Sequence, residues 1–132
     1  MRILFVGSNP STTSTHEDAF HESTRSGKLL SSWFKDIDAD KLYVNVADYK
    51  TDNNKPLKRS EIIASLGSLS KKIADIRPDK IVALGKTAST ALTLLRSTFF
   101  ELPHPSGCNR LLNDPNYIKE KIKRLVEFIN EP

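Results

Sequence analysis

A chain of 132 residues has room for one compact domain, residues 1–132, with a modest core and no second unit. With 38% hydrophobic and 27% charged residues it has an ordinary globular composition, and no apolar run approaches the roughly 20 residues that span a bilayer. A net charge of +4 suits a polyanionic partner without requiring one, and a single cysteine, Cys108, excludes an internal disulfide and a thiolate-built zinc or iron–sulfur site.

Residues 2–6 (Arg2-Ile3-Leu4-Phe5-Val6) form a nearly continuous apolar run closed by Gly7, the pattern of a buried parallel strand. The run is too short for a signal-peptide core and no small-residue cleavage site follows, so the expected location is cytoplasmic. Residues 8–25 are polar, rich in Ser and Thr, and carry Pro10 near their start; a loop of that length in a small domain usually has a function. From about Ser26 the spacing turns helical, with Leu29, Leu30, Trp33 and Phe34 on one face. Residues 42–46 predict a second strand, and a second polar loop runs from Ala47 to Arg59.

Ser60 is the expected cap of the next helix, whose buried side takes Ile62, Ile63, Leu66, Leu69 and Ile73 and which Pro78 ends. Residues 80–85 predict the third strand. A helix from Lys86 follows, with Ala91, Leu94 and Leu95 as core candidates. Residues 98–102 predict the fourth strand, and Asp114-Pro115 opens a last helix that docks through Ile118, Ile122, Leu125, Val126 and Ile129. Strands alternating with helices give an α/β fold: a three-layer α/β/α sandwich around a four-stranded parallel sheet in the order 2-1-3-4, with right-handed crossovers.

In such a sheet the loops at the carboxyl ends of the strands share one rim, where ligands bind. Gly7-Ser8-Asn9-Pro10-Ser11 follows the first strand and His104-Pro105-Ser106-Gly107 follows the last. The rim therefore gathers an amide able to orient water and an imidazole able to stabilise developing negative charge. Gly85-Lys86-Thr87 resembles a phosphate-binding loop, but the full motif needs a glycine where Lys80 stands, so nucleoside triphosphate hydrolysis is rejected. Two readings remain for it: a tight strand-to-helix turn, or a helix start at which Lys86 holds one DNA phosphate.

Across nearly its whole length the chain resembles the uracil-DNA glycosylase superfamily. Gly7-Ser8-Asn9-Pro10-Ser11 looks like the first motif of the mismatch-specific branch, and His104-Pro105-Ser106-Gly107-Cys108-Asn109-Arg110 looks like the family's second motif. Asp18-Ala19-Phe20 and Ser26-Gly27-Lys28-Leu29-Leu30 resemble the segment with the base-stacking aromatic, and Asn45-Val46 the strand end with a base-reading asparagine. These middle segments are similar to the iron–sulfur branch, whose four cluster cysteines this chain lacks. Residues 81–88 are similar to a structural strand–helix unit of the family.

The resemblance implies hydrolysis of an N-glycosidic bond in DNA, with the base flipped out of the stack and no metal or cofactor. By that resemblance Asn9 orients the attacking water and His104 donates to the base O2 as charge builds there. Asn45 reads the base edge, since a carboxamide offers both a donor and an acceptor. Phe20 stacks on the base, and Gly7, Ser8 and Ser106 line the substrate site. Ser11 stands where strict uracil enzymes carry a bulky tyrosine, so the pocket does not reject a 5-methyl group by that route. Gly107, Cys108, Asn109, Arg110 and Leu111 form the wedge that enters DNA.

Each residue also has a plainer reading. Asn9 caps a turn beside Pro10; His104 is a loop histidine before a rigid Pro; Asn45 satisfies loop backbone; Phe20 pins the long loop to the core; residues 107–112 are a surface loop. His16 and His21 are read as solvent-exposed. Lys50, Lys55, Lys58 and Arg59 make a basic loop that suits phosphates or is simply solvated, and Lys119, Lys121, Lys123 and Arg124 read as a solvated face. Three functions follow: a monofunctional glycosylase acting on uracil or a related pyrimidine in DNA, a non-catalytic binder of DNA or of a modified base, and a nucleoside-binding domain that does not use duplex DNA. DNA is the expected partner and a monomer the expected state.

Overall fold

The computed structural model of the chain describes residues 1–8, 25–35, 37–47, 49, 57–103 and 115–131. Strands and helices alternate along it: β1 (Arg2–Gly7), α1 (Arg25–Trp33), β2 (Asp40–Asn45), α2 (Arg59–Ile76), β3 (Lys80–Leu84), α3 (Lys86–Leu94), β4 (Phe100–Leu102) and α4 (Pro115–Asn130). The four strands form one sheet in the order β2-β1-β3-β4, and every pairing is parallel. Fold class and strand order both match the reading of the sequence.

The central strand explains the architecture. Ile3, Leu4, Phe5 and Val6 are all fully buried, because β1 is covered on both faces. Strand side chains alternate, so Leu4 and Val6 enter one core and Ile3 and Phe5 the other. The first core is closed by Ile62 and Leu69 of α2 and by Ala88, Ala91 and Leu92 of α3. The second is closed by Leu30 of α1, by Phe34 just beyond it, and by Leu125 and Ile129 of α4. Two helices on each face make the three layers. In the second core the Phe5 ring stacks on Phe34 at 4.4 Å and on Tyr43 at 5.2 Å between centroids, pairings that add to the burial of their area.

Several boundaries and faces differ from expectation. β2 covers 40–45 rather than 42–46 because its register with β1 starts at Arg2 opposite Asp40. β4 is confined to 100–102; Phe99 precedes it and packs in the α2–α3 core, while Phe100 packs in the opposite one. Ser60 is not the cap of α2. That position is Lys58, whose backbone N–H donates to the Glu61 carboxylate at 2.9 Å, half of a capping box built by the acid rather than the hydroxyl. Ile63 is 52% exposed, a step of one residue beyond the buried Ile62 having carried it off the buried stripe. In α3, Leu92 is fully buried and Leu94 is exposed; in α4, Phe128 packs inward and Val126 is exposed. Both corrections are rotations of a helix about its axis by roughly one to two residues. At the end of α2, Ile76 is the last helical residue and Arg77 caps it in the left-handed region, just before Pro78.

Candidate functional site

All four strands run the same way, so Gly7, Asn45, Leu84 and Leu102 end on one rim. The helix after β1 lies on one face and the helix after β3 on the other. β1 and β3 are neighbours, so the crevice between their carboxyl ends is the topological switch point, the usual ligand position in open α/β sheets.

Register places Asn45 directly beside Gly7. The ladder continues past the strand ends: Val46 N–H donates to the Gly7 carbonyl at 2.9 Å and Ala47 N–H to the Ser8 carbonyl at 3.0 Å. The first-motif segment and the strand end that carries Asn45 are thus zipped together as they leave the sheet. Asn45 is 8% exposed, and among the described residues it is the one buried polar side chain. Burying a carboxamide is unfavourable unless it finds partners, and among the described residues no buried side-chain nitrogen or oxygen lacks one. Its backbone carbonyl accepts from the Lys72 ammonium of α2 at 3.5 Å.

On the other side of the switch point, Gly85 links β3 to α3 with φ 95° and ψ 175°, a conformation that side chains with a Cβ rarely adopt. Its N–H donates to the Leu102 carbonyl at 2.8 Å, and its carbonyl accepts from Ser89 N–H and Oγ at 3.2 and 3.1 Å. This turn brings Lys86, exposed at the first position of α3, to the same rim as Leu102 and Pro103, directly before His104. Gly85-Lys86-Thr87 thus forms a tight strand-to-helix turn with Lys86 at the first position of α3.

A short polar lattice frames the start of α2. Tyr49 Oη donates to Glu61 Oε2 at 3.0 Å, while Glu61 Oε1 accepts the Lys58 N–H. The Lys58 N–H, then the Tyr49 hydroxyl, hold the Glu61 carboxyl below its ordinary value of 4.5. Loss of water and the neighbouring carboxylate push the Tyr49 phenol above 10.0, and burial does the same to Tyr43.

Of the residues singled out in the sequence, Gly7, Ser8, Asn45 and Lys86 lie on this rim. Asn9, Ser11, Phe20, His104, Ser106, Gly107, Cys108, Asn109, Arg110 and Leu111 lie outside the described residues, as do His16, His21, Lys50 and Lys55. Lys119, Lys123 and Arg124 are exposed, as expected of a solvated face; Arg124 pairs with Glu120 at 3.1 Å, and the Lys121 ammonium sits 5.9 Å from the centre of the Tyr117 ring. Sequence reasoning missed Lys72. The signal was its place in the helical repeat, three residues after Leu69 and next to Ile73, which sets a cation beside the buried stripe.

The sequence signature of the uracil DNA glycosylase superfamily matches residues 1–126. The chain belongs to that superfamily. Members of that superfamily are generally DNA glycosylases. No curated protein sequence matches the chain. No helix among the described residues is long and apolar enough to cross a membrane.

Proposed function

We propose that this superfamily member is a monofunctional DNA glycosylase that hydrolyses the N-glycosidic bond of uracil or a related pyrimidine in DNA. The observation that carries the reading is Asn45: a buried amide at the end of β2, in register with Gly7, at the point where the first-motif segment leaves the sheet. The reaction separates an anionic base from an oxocarbenium-like sugar, then adds water at C1′. It needs a group that recognises the base, a donor for the departing charge and a group that orients water.

Asn45 supplies recognition. A carboxamide held in one orientation gives N–H to the pyrimidine O4 and accepts the N3–H, the reverse of what cytosine presents. His104, one residue beyond Pro103 on the same rim, donates to O2 as negative charge accumulates. Asn9, two residues beyond Gly7, polarises the water through its side-chain carbonyl. An amide is a weak base, so this arrangement suits departure of the base ahead of water attack. Phe20 stacks on the flipped base, a contact worth roughly 1–3 kcal/mol for any base. Ser11 leaves space for a 5-substituent, and Gly7, Ser8 and Ser106 complete the lining. The loop of residues 107–112, with Gly107 and Asn109, enters the duplex, where Cys108, Arg110 or Leu111 fills the gap, and Lys86 meets a phosphate. The enzyme works as a single-domain monomer without metal or cofactor.

The test is a panel of labelled oligonucleotides with uracil opposite G, opposite A and in single strands, together with G·T and 5-modified pyrimidines, treated with hot alkali to reveal abasic sites. Strand scission at one base is expected. His104→Ala should lower its rate by about 10²–10³-fold, the usual loss on removing a donor to developing charge, and Asn9→Ala should abolish it. DNA binding without scission anywhere on the panel would instead make the protein a non-catalytic binder of DNA or of a modified base.

A further inference from the structure

β2 is an edge strand of the sheet, so the backbone groups on its outer side face no further strand. The peptide that joins Asn45 to Val46 sits at the end of that edge. Its N–H is bonded inward, to the Gly7 carbonyl of β1 at 2.9 Å. In a trans peptide the C=O points opposite to the N–H, so the Asn45 carbonyl is directed away from β1, off the open edge. There the Lys72 ammonium of α2 meets it at 3.5 Å. One peptide plane is thus held from both sides, by the sheet and by a helix. Lys72 stands in an uncommon place for a lysine. It lies three residues after the fully buried Leu69 and four before Ile76, on the stripe that α2 packs against the sheet, and it is itself half-buried. An apolar side chain there would extend the stripe. A lysine brings instead a charge that must find an acceptor, and a charge-assisted bond is stronger than a neutral one.

The clamp bears on the amide of the rim. Along β2, Leu42, Val44 and the following Val46 pack in the α2–α3 core and Tyr43 in the other, so alternation sends Asn45 to the Tyr43 side. The carbonyl that Lys72 holds is attached to the same Cα as the Asn45 side chain. Fixing its plane fixes ψ at Asn45, and with it the direction in which the carboxamide leaves the strand. We infer that Lys72 is a positioning residue for base recognition: its hold on the Asn45 carbonyl aims the Asn45 carboxamide at the base edge. Lys72 acts through Asn45 and not on the base or the DNA. The glycosylase reading supplies what Asn45 recognises, and this role rests on it.

Lys72→Met keeps the unbranched stem and the helix but removes the ammonium, and amide hydrogen exchange reads the clamp directly. The Val46 N–H should exchange about 3- to 10-fold faster in Lys72→Met, the loss of one modest hydrogen bond, while the Val82 and Ala83 amides of β3 keep their wild-type rates. Lys72→Arg, which retains a donor, should restore the Val46 rate, and Lys71→Met, one step along the helix and exposed, should leave it alone. On the pyrimidine that the protein excises, kcat/KM should fall by about 3- to 10-fold in Lys72→Met. With Asn45→Asp already present the further fall should be less than about twofold, since the two residues act as one unit. An unchanged Val46 rate, a rise shared by every protected amide, or equal losses of kcat/KM in the two backgrounds would overturn the proposal. Base release by a wild type whose Val46 exchange ignores Lys72 would sink the clamp and leave the glycosylase standing. Faster Val46 exchange in Lys72→Met, in a protein that releases no base, would keep the clamp on the strand end and refute its use in excision.

Discussion

Replacing Gly85 with alanine should destabilise the protein, while the same change at Gly67 should stabilise it. At Gly85 the backbone sits at φ 95° and ψ 175°, a region open essentially to glycine alone, and forcing a Cβ into it costs about 1–3 kcal/mol. The residue has no way to rotate out of that conformation. Its N–H is bound to β4 through Leu102 at 2.8 Å and its carbonyl to the first turn of α3 through Ser89. With an unfolding entropy of about 2.1 cal/mol/K per residue, the strain corresponds to a melting temperature lower by about 4–11 °C in a chain of 132 residues. Gly67 lies within α2, exposed, and a Cβ there would meet nothing within 4 Å. Alanine at such a site limits the unfolded chain without strain, worth about 0.5–1 kcal/mol, or roughly 2–4 °C. Circular dichroism melts of the two variants beside wild type, at one pH and with reversibility checked, give the comparison. A Gly85→Ala protein that melts at or above wild type, or two variants displaced in the same direction, would refute the argument.

Phe5→Ala removes a fully buried ring together with its stacking on Phe34 and Tyr43, and should lower unfolding free energy by about 3–5 kcal/mol in urea titrations; a loss under 1 kcal/mol would mean that the second core is not packed as described. Asn45→Asp keeps the shape but replaces the N–H donor with a charged acceptor; kcat/KM on the excised pyrimidine should drop by about 5- to 150-fold, the equivalent of about 1–3 kcal/mol, and unchanged kinetics would remove Asn45 from recognition. The Glu61 carboxyl titrates below 4.5 when folded, so the folded state binds fewer protons there than the unfolded chain. Its contribution is present above pH 4.5 and is lost as pH falls through the depressed value, whereas the raised Tyr49 phenol contributes below pH 10.0 and loses its contribution as pH rises through the higher value. Glu61→Gln should therefore show a gap in urea midpoint from wild type at neutral pH that closes as pH falls through the depressed value; a gap independent of pH would show that the carboxylate charge plays no part.

The parts of the fold that were legible in the sequence are those set by long apolar patterns. Ile3-Leu4-Phe5-Val6 announces a strand buried on both faces, and the alternation of strands and helices leaves few topologies. What was not legible depends on quantities the pattern does not hold. Ile63, Leu94 and Val126 are apolar and lie within one or two residues of the buried Ile62, Leu92 and Leu125, and only the rotation of each helix against the sheet decides which of the near neighbours is inside. The cap of α2 was misplaced because Ser60 is the favoured residue type, whereas the acid at Glu61 reaches back to Lys58 and sets the start two residues earlier. At the rim, the position of Asn45 was readable because it follows the apolar run Leu42-Tyr43-Val44 at the strand end. Lys72 was not, since its role arises only when α2 packs over the end of β2.

β1 also sets the order in which the protein can complete itself during synthesis. It emerges first, yet its partner β2 begins at Asp40 and its other partner β3 at Lys80. At about 5–20 residues per second, Ile3-Leu4-Phe5-Val6 waits on the order of 4–15 s before β3 is made. Such a short, uncharged, β-prone segment is the kind that pairs with other chains when left open. A nascent chain arrested before Lys80 should therefore be a strong client for chaperones, and one arrested well beyond Leu84 a weak one.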